Sequence, residues 1–274
     1  MIQIIGFAPQ DARLKSYVYR YKVFEIKAKV PAFISPPEAR FCYVLTLHGE
    51  TELHTRQGVV NPPEQCIRGV HTDATVIHIL SDYSLTLIVE FYPHAFGCVS
   101  KDFASSVPDR YLDVRDTPLP WLDLSRFDLG DVQSFITQHL EPQLADLFPA
   151  QLPPDALHLI RAMELIRGQA GLVKVAQLAQ ELALTERSLN RYFMDYTGVS
   201  PKVLAELLRL QRVVHGMLAQ DAPAGTSLAE DQGFHDYSHF LKTFKKLMGA
   251  SPRSFSPEQY IFIRQLIAAQ AYFV

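Results

Sequence analysis

Two stretches of the chain follow one plan, 51 residues apart. In the first, Thr185 precedes Leu189, Tyr192, Phe193 and Tyr196, then come Gly198 and Ser200-Pro201. In the second, Asp236 precedes Phe240, Phe244 and Leu247, then come Gly249 and Ser251-Pro252. Thr and Asp cap helix N-termini because a side-chain oxygen accepts an otherwise unpaired backbone N–H. Apolar residues three and four apart share one helix face. Glycine accepts the left-handed conformation that ends a helix. The plan predicts helices over 186–196 and 237–248. Each follows a shorter helical piece. Before the first, Val175, Leu178, Ala179 and Leu182 form a stripe that ends at a turn, Ala183-Leu184. Before the second, residues 228–232 are expected to make a helical turn, broken at Gly233-Phe234.

Helix, tight turn and second helix make the unit that lays its second helix in a DNA major groove. The exposed faces suit that task. Arg187, Asn190, Arg191 and Met194 share one face of the first helix, and Ser238, Leu241, Lys242 and Lys245 one face of the second. Arginine pairs bidentately with guanine and asparagine with adenine. Between the units lies an expected helix over 202–218, with apolar Val203, Leu204, Leu207, Leu208, Leu210, Val214 and Leu218. Its seventeen residues span roughly 25 Å at about 1.5 Å each. A strut of that size suits two reading helices roughly 34 Å apart, one DNA turn.

The net charge of −3 over 274 residues argues against a nucleic-acid partner only as a sum over unlike halves. Residues 1–150 hold 13 Lys and Arg against 18 Asp and Glu; residues 151–274 hold 13 against 11. From Lys242 to Arg253 there are four cationic side chains and no carboxylate.

Residues of about 157–256 resemble the DNA-binding domain of the AraC/XylS family of transcriptional regulators. The resemblance is carried by Leu178-Ala179, Thr185-x-x-Ser188-Leu189-x-Arg191-x-Phe193 and Thr197-Gly198-x-Ser200-Pro201. It is carried again by Gly233-Phe234-x-Asp236-x-Ser238-x-Phe240-x-Lys242-x-Phe244-Lys245-Lys246 and Gly249-x-Ser251-Pro252. It implies seven helices in two helix-turn-helix units. It implies base contacts from Arg187, Asn190, Arg191, Tyr237, Ser238, His239, Leu241 and Lys242, and phosphate contacts from Lys245, Lys246 and Arg253. The implied partners are double-stranded DNA and RNA polymerase, with a small-molecule effector and a homodimer as further expectations. Tyr237 and Leu241 are less polar than a base-reading helix prefers, and residues 225–232 lack the family's usual isoleucine-rich helix. The first unit is therefore expected to carry most of the specificity.

The first half reads as short β-rich runs at 17–24, 41–47, 51–55, 75–80 and 85–92, separated by Pro36-Pro37, Gly49, Gly58 and Pro62-Pro63. Such spacing suggests a small barrel or sandwich. Tyr17-Val18-x-Arg20-Tyr21, Phe41-Cys42-Tyr43-Val44-Leu45, Gly69 and Leu87-Ile88-Val89-Glu90-Phe91-x-Pro93 resemble the all-β sensing domains that precede this DNA-binding domain in many regulators. The expected fold is thus multidomain α+β. A mainly-β, barrel-like sensing or oligomerisation domain over 1–130 leads to an amphipathic helix and proline-rich linker over 131–154. The DNA-binding domain over 155–256 and an apolar C-terminal helix over 257–274 follow. Pro142 is expected to kink or split the helix over 131–148, whose apolar stripe needs its own β-domain or a second subunit.

No catalytic residue, metal or cofactor is expected. Cys42, Cys66 and Cys98 are too few and too odd in number for a disulfide framework, and read as buried or free thiols in a cytoplasmic protein. An enzyme fused to a DNA reader is the alternative, and it needs one of these thiols to be reactive. His48, Glu52 and His54 share parity on an expected hairpin, where exposure is a simpler reading than metal binding. His71, His78 and His94 read as satisfied polar residues. Glu90, inside an apolar run, is expected on an outward strand face, with pairing inside a ligand pocket as the alternative. No run of about 18 apolar residues spans a membrane.

Overall fold

The computed structural model describes residues 2–220, 234, 236–254, 257–260 and 264–265. The expected turn at 228–232 with Gly233, and most of the expected helix over 257–274, lie outside the described residues.

The first half is mainly β. Six antiparallel strands run in the order β1 (Ile2–Phe7), β2 (Val18–Lys27), β9 (Tyr83–Phe91), β4 (Phe41–His48), β7 (Gln65–Arg68) and β10 (Tyr111–Asp113). A second sheet runs β3 (Phe33–Ser35), β8 (Thr75–Ile79), β5 (Thr51–Thr55) and β6 (Gly58–Val60). The strands form two sheets rather than one closed barrel. Alternation decides what each face of the large sheet carries. The row Tyr21, Val89, Tyr43 and Ile67 crosses four strands and is wholly buried. The next row along, on the opposite face, is Arg20, Glu90, Cys42, Arg68 and Tyr111.

That second row overturns the expected outward placement of Glu90. Its carboxylate is 2% exposed; it accepts from Arg20 Nε at 2.6 Å and pairs with Lys22 Nζ. The strand is buried on both faces, so an apolar run gave no clue to which side its one carboxylate takes.

The segment after residue 130 is split as Pro142 requires. It forms α3 (Val132–Phe135), a π turn (Ile136–Leu140) and α4 (Glu141–Ala145), with Pro142 in the first turn of α4. Proline lacks the N–H and crowds the preceding turn, which widens the helical ladder there. The stripe packs on the β-rich half of its own chain. Phe148 stacks on Tyr17 with ring centres 4.4 Å apart, and the Glu141 carboxylate accepts from the backbone N–H groups of Gln10 and Asp11 at 2.8 and 2.9 Å.

The second half is helical. It contains α5 (Pro154–Gly168), α6 (Val175–Glu181), α7 (Glu186–Thr197), α8 (Pro201–Gln220) and, after the undescribed stretch, a helix over Tyr237–Met248 that we label α9. The expected α7 and α9 are present with their caps. Thr185 Oγ1 accepts from Ser188 N at 3.1 Å, and Asp236 Oδ1 from His239 N at 2.6 Å. Gly198 and Gly249 end them at φ +69° and +71°. The strut α8 is three residues longer than expected, 20 residues or about 30 Å.

Two buried histidines make the fold acid-sensitive. His94 Nε2 lies 2.7 Å from the Ser16 carbonyl oxygen, so the neutral ring donates there; His71 Nδ1 lies 3.1 Å from that of Gly69. Burial pushes both rings down to about 4. An unfolded histidine takes up its proton near pH 6.5, whereas these folded rings resist until about pH 4. Below pH 6.5 the unfolded state therefore binds more protons, and stability falls as pH falls. Each ring withdraws on the order of 2–3 kcal/mol by pH 4. Thermal melts should show a falling Tm between pH 6.5 and 4, with a shallower fall in His94→Gln. An identical slope in that variant would remove His94 from the account.

Candidate nucleic-acid interface

Helices α7 and α9 are built alike. Each buries an aromatic stripe, Leu189, Phe193 and Tyr196 on α7 and Phe240, Phe244 and Leu247 on α9. Each presents its first turns to solvent. On α7, Arg187 and Arg191 are exposed, Arg191 with its guanidinium 5.4 Å from the Tyr192 ring centre. Asn190 shares their face but is half-buried, and its amide donates back to the Glu186 carbonyl at 2.8 Å. On α9, Ser238, His239 and Lys242 are exposed, whereas Tyr237 and Leu241 are half-buried and pack against the core. Arg253, on the 3-10 turn after α9, is exposed.

Both helices are held from behind by their C-terminal ends. Tyr196, near the end of α7, donates its hydroxyl to Asp155 at 2.7 Å, and Asp155 also pairs with Lys101 of α2 (Lys101–Ser106). Gly97, in α1 (Ala95–Val99), lies so close that a Cβ there would sit 2.6 Å from Tyr196 Cα. A Cβ on Gly198 would meet Pro108 Cδ at 2.8 Å, besides straining a positive φ. At the end of α9 the Leu247 carbonyl accepts from the Ala74 backbone N–H at 2.9 Å. On the strut, Gln211 donates to the Pro37 carbonyl at 3.1 Å. The β-rich half thus grips the rear of both helices, and in their leading turns Arg187, Ser238 and His239 are exposed. Those leading turns are where a helix of this type contacts base edges.

Lys245 and Lys246 follow Lys242 along α9. They are exposed, yet with Lys242 they line a groove whose opposite wall carries Arg56 and Asp73 of the β-rich half. Lys246 Nζ also lies 3.8 Å from Glu206 on the strut. The sequence pattern missed both this groove and the rear grip, because each depends on residues distant in the chain, from 41 to 174 positions apart in the hydrogen bonds of the grip.

Other chemistry is weakly supported. Among the described residues, Glu38, Cys42 and Glu90 bring ligand atoms within 4.8 Å of one another. Their carboxylates, however, are already paired with Arg68, Arg40, Arg20 and Lys22. Burial pushes the thiols of Cys42, Cys66 and Cys98 up to about 12, the reverse of a reactive cysteine. His48 does not join Glu52 and His54. His54 Nε2 lies 2.6 Å from Glu52 and its ring faces His78, while His48 turns to the Tyr83 carbonyl. No helix among the described residues is long and apolar enough to cross a membrane.

Residues 178–258 match the family described as "Helix-turn-helix domain". The HTH-type transcriptional activator RhaS of Escherichia fergusonii is 34% identical over 76 residues, 28% of this chain and 27% of that protein. RhaS of Yersinia pestis is 35% identical over 81 residues, 30% of this chain and 29% of that protein. The chain thus spans under a third of the length of the curated relatives it matches. The crystal structure of ToxT from Vibrio cholerae aligns over 91% of this chain and 98% of its own, at 14% identity and a TM-score of 0.46. The similarity that these comparisons establish is thus to a helix-turn-helix domain over residues 178–258.

Proposed function

We propose that the chain is a sequence-specific DNA-binding regulator of transcription, governed by an effector held in its β-rich half. The carrying observation is the pair of capped helices, α7 and α9, each pinned at its rear and each with exposed cations in its N-terminal half, Arg187 and Arg191 on one and Lys242 on the other. In this reading Arg187, Asn190 and Arg191 read bases in one major groove. Ser238, His239 and Lys242 read the next, with Tyr237 and Leu241 mainly packing. Lys245, Lys246 and Arg253 neutralise phosphates, Lys246 only after leaving Glu206. Residues 1–130 act as the sensing unit, 131–154 as the connection and 155–256 as the reader. The activator function named for both RhaS relatives supports RNA polymerase as a further partner.

Footprinting on DNA upstream of neighbouring genes should protect two major-groove segments about one turn apart. Affinity should fall steeply with salt, because bound cations release counterions from phosphates. Two substitutions then separate the helices. Arg191→Ala should cost about 1–3 kcal/mol of discrimination at one base pair. Lys242→Ala should weaken binding with a smaller loss of discrimination. Equal losses of discrimination would defeat the primacy of α7. Absence of any protected segment across the tested promoters would defeat the DNA-binding reading itself.

A further inference from the structure

Between the two sheets lies a cavity of about 130 Å³. Its walls are mainly apolar, with Phe24, Ile26, Val44 and Ile88 from the large sheet and Leu53 and Ile77 from the small one, interspersed with Ser and Thr side chains such as Thr46, Thr51 and Thr86. One end is different. Arg68 and Tyr111 also line it, and they belong to the cross-strand row that continues through Cys42, Glu90 and Arg20.

That charged row is unbalanced. Among the described residues, Arg20 and Lys22 share the single carboxylate of Glu90, and Arg68 pairs with Glu38, which Arg40 also contacts. Arg68 commits Nη2 to Glu38 and to Cys42 Sγ, but its Nε–H is buried with no acceptor. Arg20 Nη2 is likewise buried and unsatisfied. A buried donor without a partner carries its full desolvation penalty, and a cation more so. Such a group beside an apolar cavity is a vacancy for a particular chemistry. A neutral apolar guest would leave the Arg68 donor unpaired. A metal cation would meet Arg68, the positive side chain among the cavity's lining residues. A carboxylate offers two oxygens in the plane that a guanidinium edge matches, and one negative charge.

We propose that this cavity binds a small amphiphilic monocarboxylate, its head against Arg68 and Tyr111 and its apolar body between the sheets. The proposal rests on reading the β-rich half as effector-binding, and names the class of effector. Size follows from volume. A cavity of about 150 Å³ holds one benzene molecule, so the body here is about five or six carbon atoms. Bridging the two sheets from inside fixes their separation. The small sheet borders the loop whose Ala74 N–H holds the end of α9, so a bound guest reaches the reading helix through one element.

The test uses the whole chain without DNA. Hexanoate should raise Tm saturably and bind once per chain by calorimetry, at least tenfold more tightly than hexanamide or dodecanoate. Ile88→Phe, which fills the cavity, should abolish that rise, and Arg68→Met should reduce hexanoate to the level of hexanamide. If Arg68→Met does not fold, Ile88→Phe together with the acid–amide comparison carries the test. No saturable shift with four- to eight-carbon acids would overturn the proposal. So would equal binding of acid and amide, tighter binding of dodecanoate, or hexanoate binding that survives Ile88→Phe. Because DNA is absent, failure here leaves the DNA-binding reading standing, and a missing footprint leaves this result standing.

Discussion

Glu90→Ala should destabilise the chain by about 3–5 kcal/mol in urea titration, the range for removing one partner of a buried ion pair. Glu90 lies between Arg20 and Lys22, each no more than 8% exposed, and pairs with both. Removing it leaves two cations side by side with nothing between them. Typical folded domains hold only about 5–15 kcal/mol in total, so this one carboxylate accounts for a large share. The loss has its own pH signature. Burial already pushes Lys22 down, opposed mainly by Glu90. With Glu90 gone, Lys22 sheds its proton in the folded chain but keeps it when unfolded up to about pH 10. The unfolded state then binds more protons, so the deficit narrows as pH rises. Glu90→Gln, which still accepts from Arg20, should lose less. A loss under about 1 kcal/mol for the alanine variant would show that the pair is not what holds these strands.

Phe193→Ala should cost about 3–5 kcal/mol, the range for truncating a buried aromatic, and abolish specific DNA binding with it. Phe193 is fully buried at the centre of the α7 face, between Leu189 and Tyr196. The cavity left behind loosens α7 from α6 and from the α1–α2 grip at once. That removes the two supports that aim Arg187 and Arg191. The neighbouring Met194, 43% exposed, provides the control. Met194→Ala should stay within about 0.5 kcal/mol, as surface substitutions do. Urea unfolding measures both variants. Equal, small losses would mean that α7 is held by its caps and not by its stripe.

Helices α7 and α9 were legible residue by residue. Their caps, stripes and terminal glycines are local, and helix chemistry repeats every three or four positions. The kink at Pro142 was legible for the same reason: a missing N–H acts within one turn. Helix α5 was not singled out, because its buried stripe uses two small alanines, Ala156 and Ala162, among charged neighbours. Glu90 was placed on the wrong side because strand parity alone does not say which face meets water when both are buried.

The exposed Arg187 and Arg191 could be named from spacing, but their freedom to reach a groove could not. It comes from the rear contacts, Tyr196 to Asp155 and Leu247 to Ala74, between residues distant in sequence. The same holds for the cavity between the sheets. Arg20, Lys22, Arg68 and Glu90 each look like ordinary surface charge in a one-dimensional reading. Strand register brings them into one buried row. By itself the sequence determined the elements that depend on neighbours a turn away: two capped helices, a strut and a set of strands. Only the tertiary structure decided which charges are buried together and which helix ends are pinned, because those depend on contacts that local periodicity does not encode.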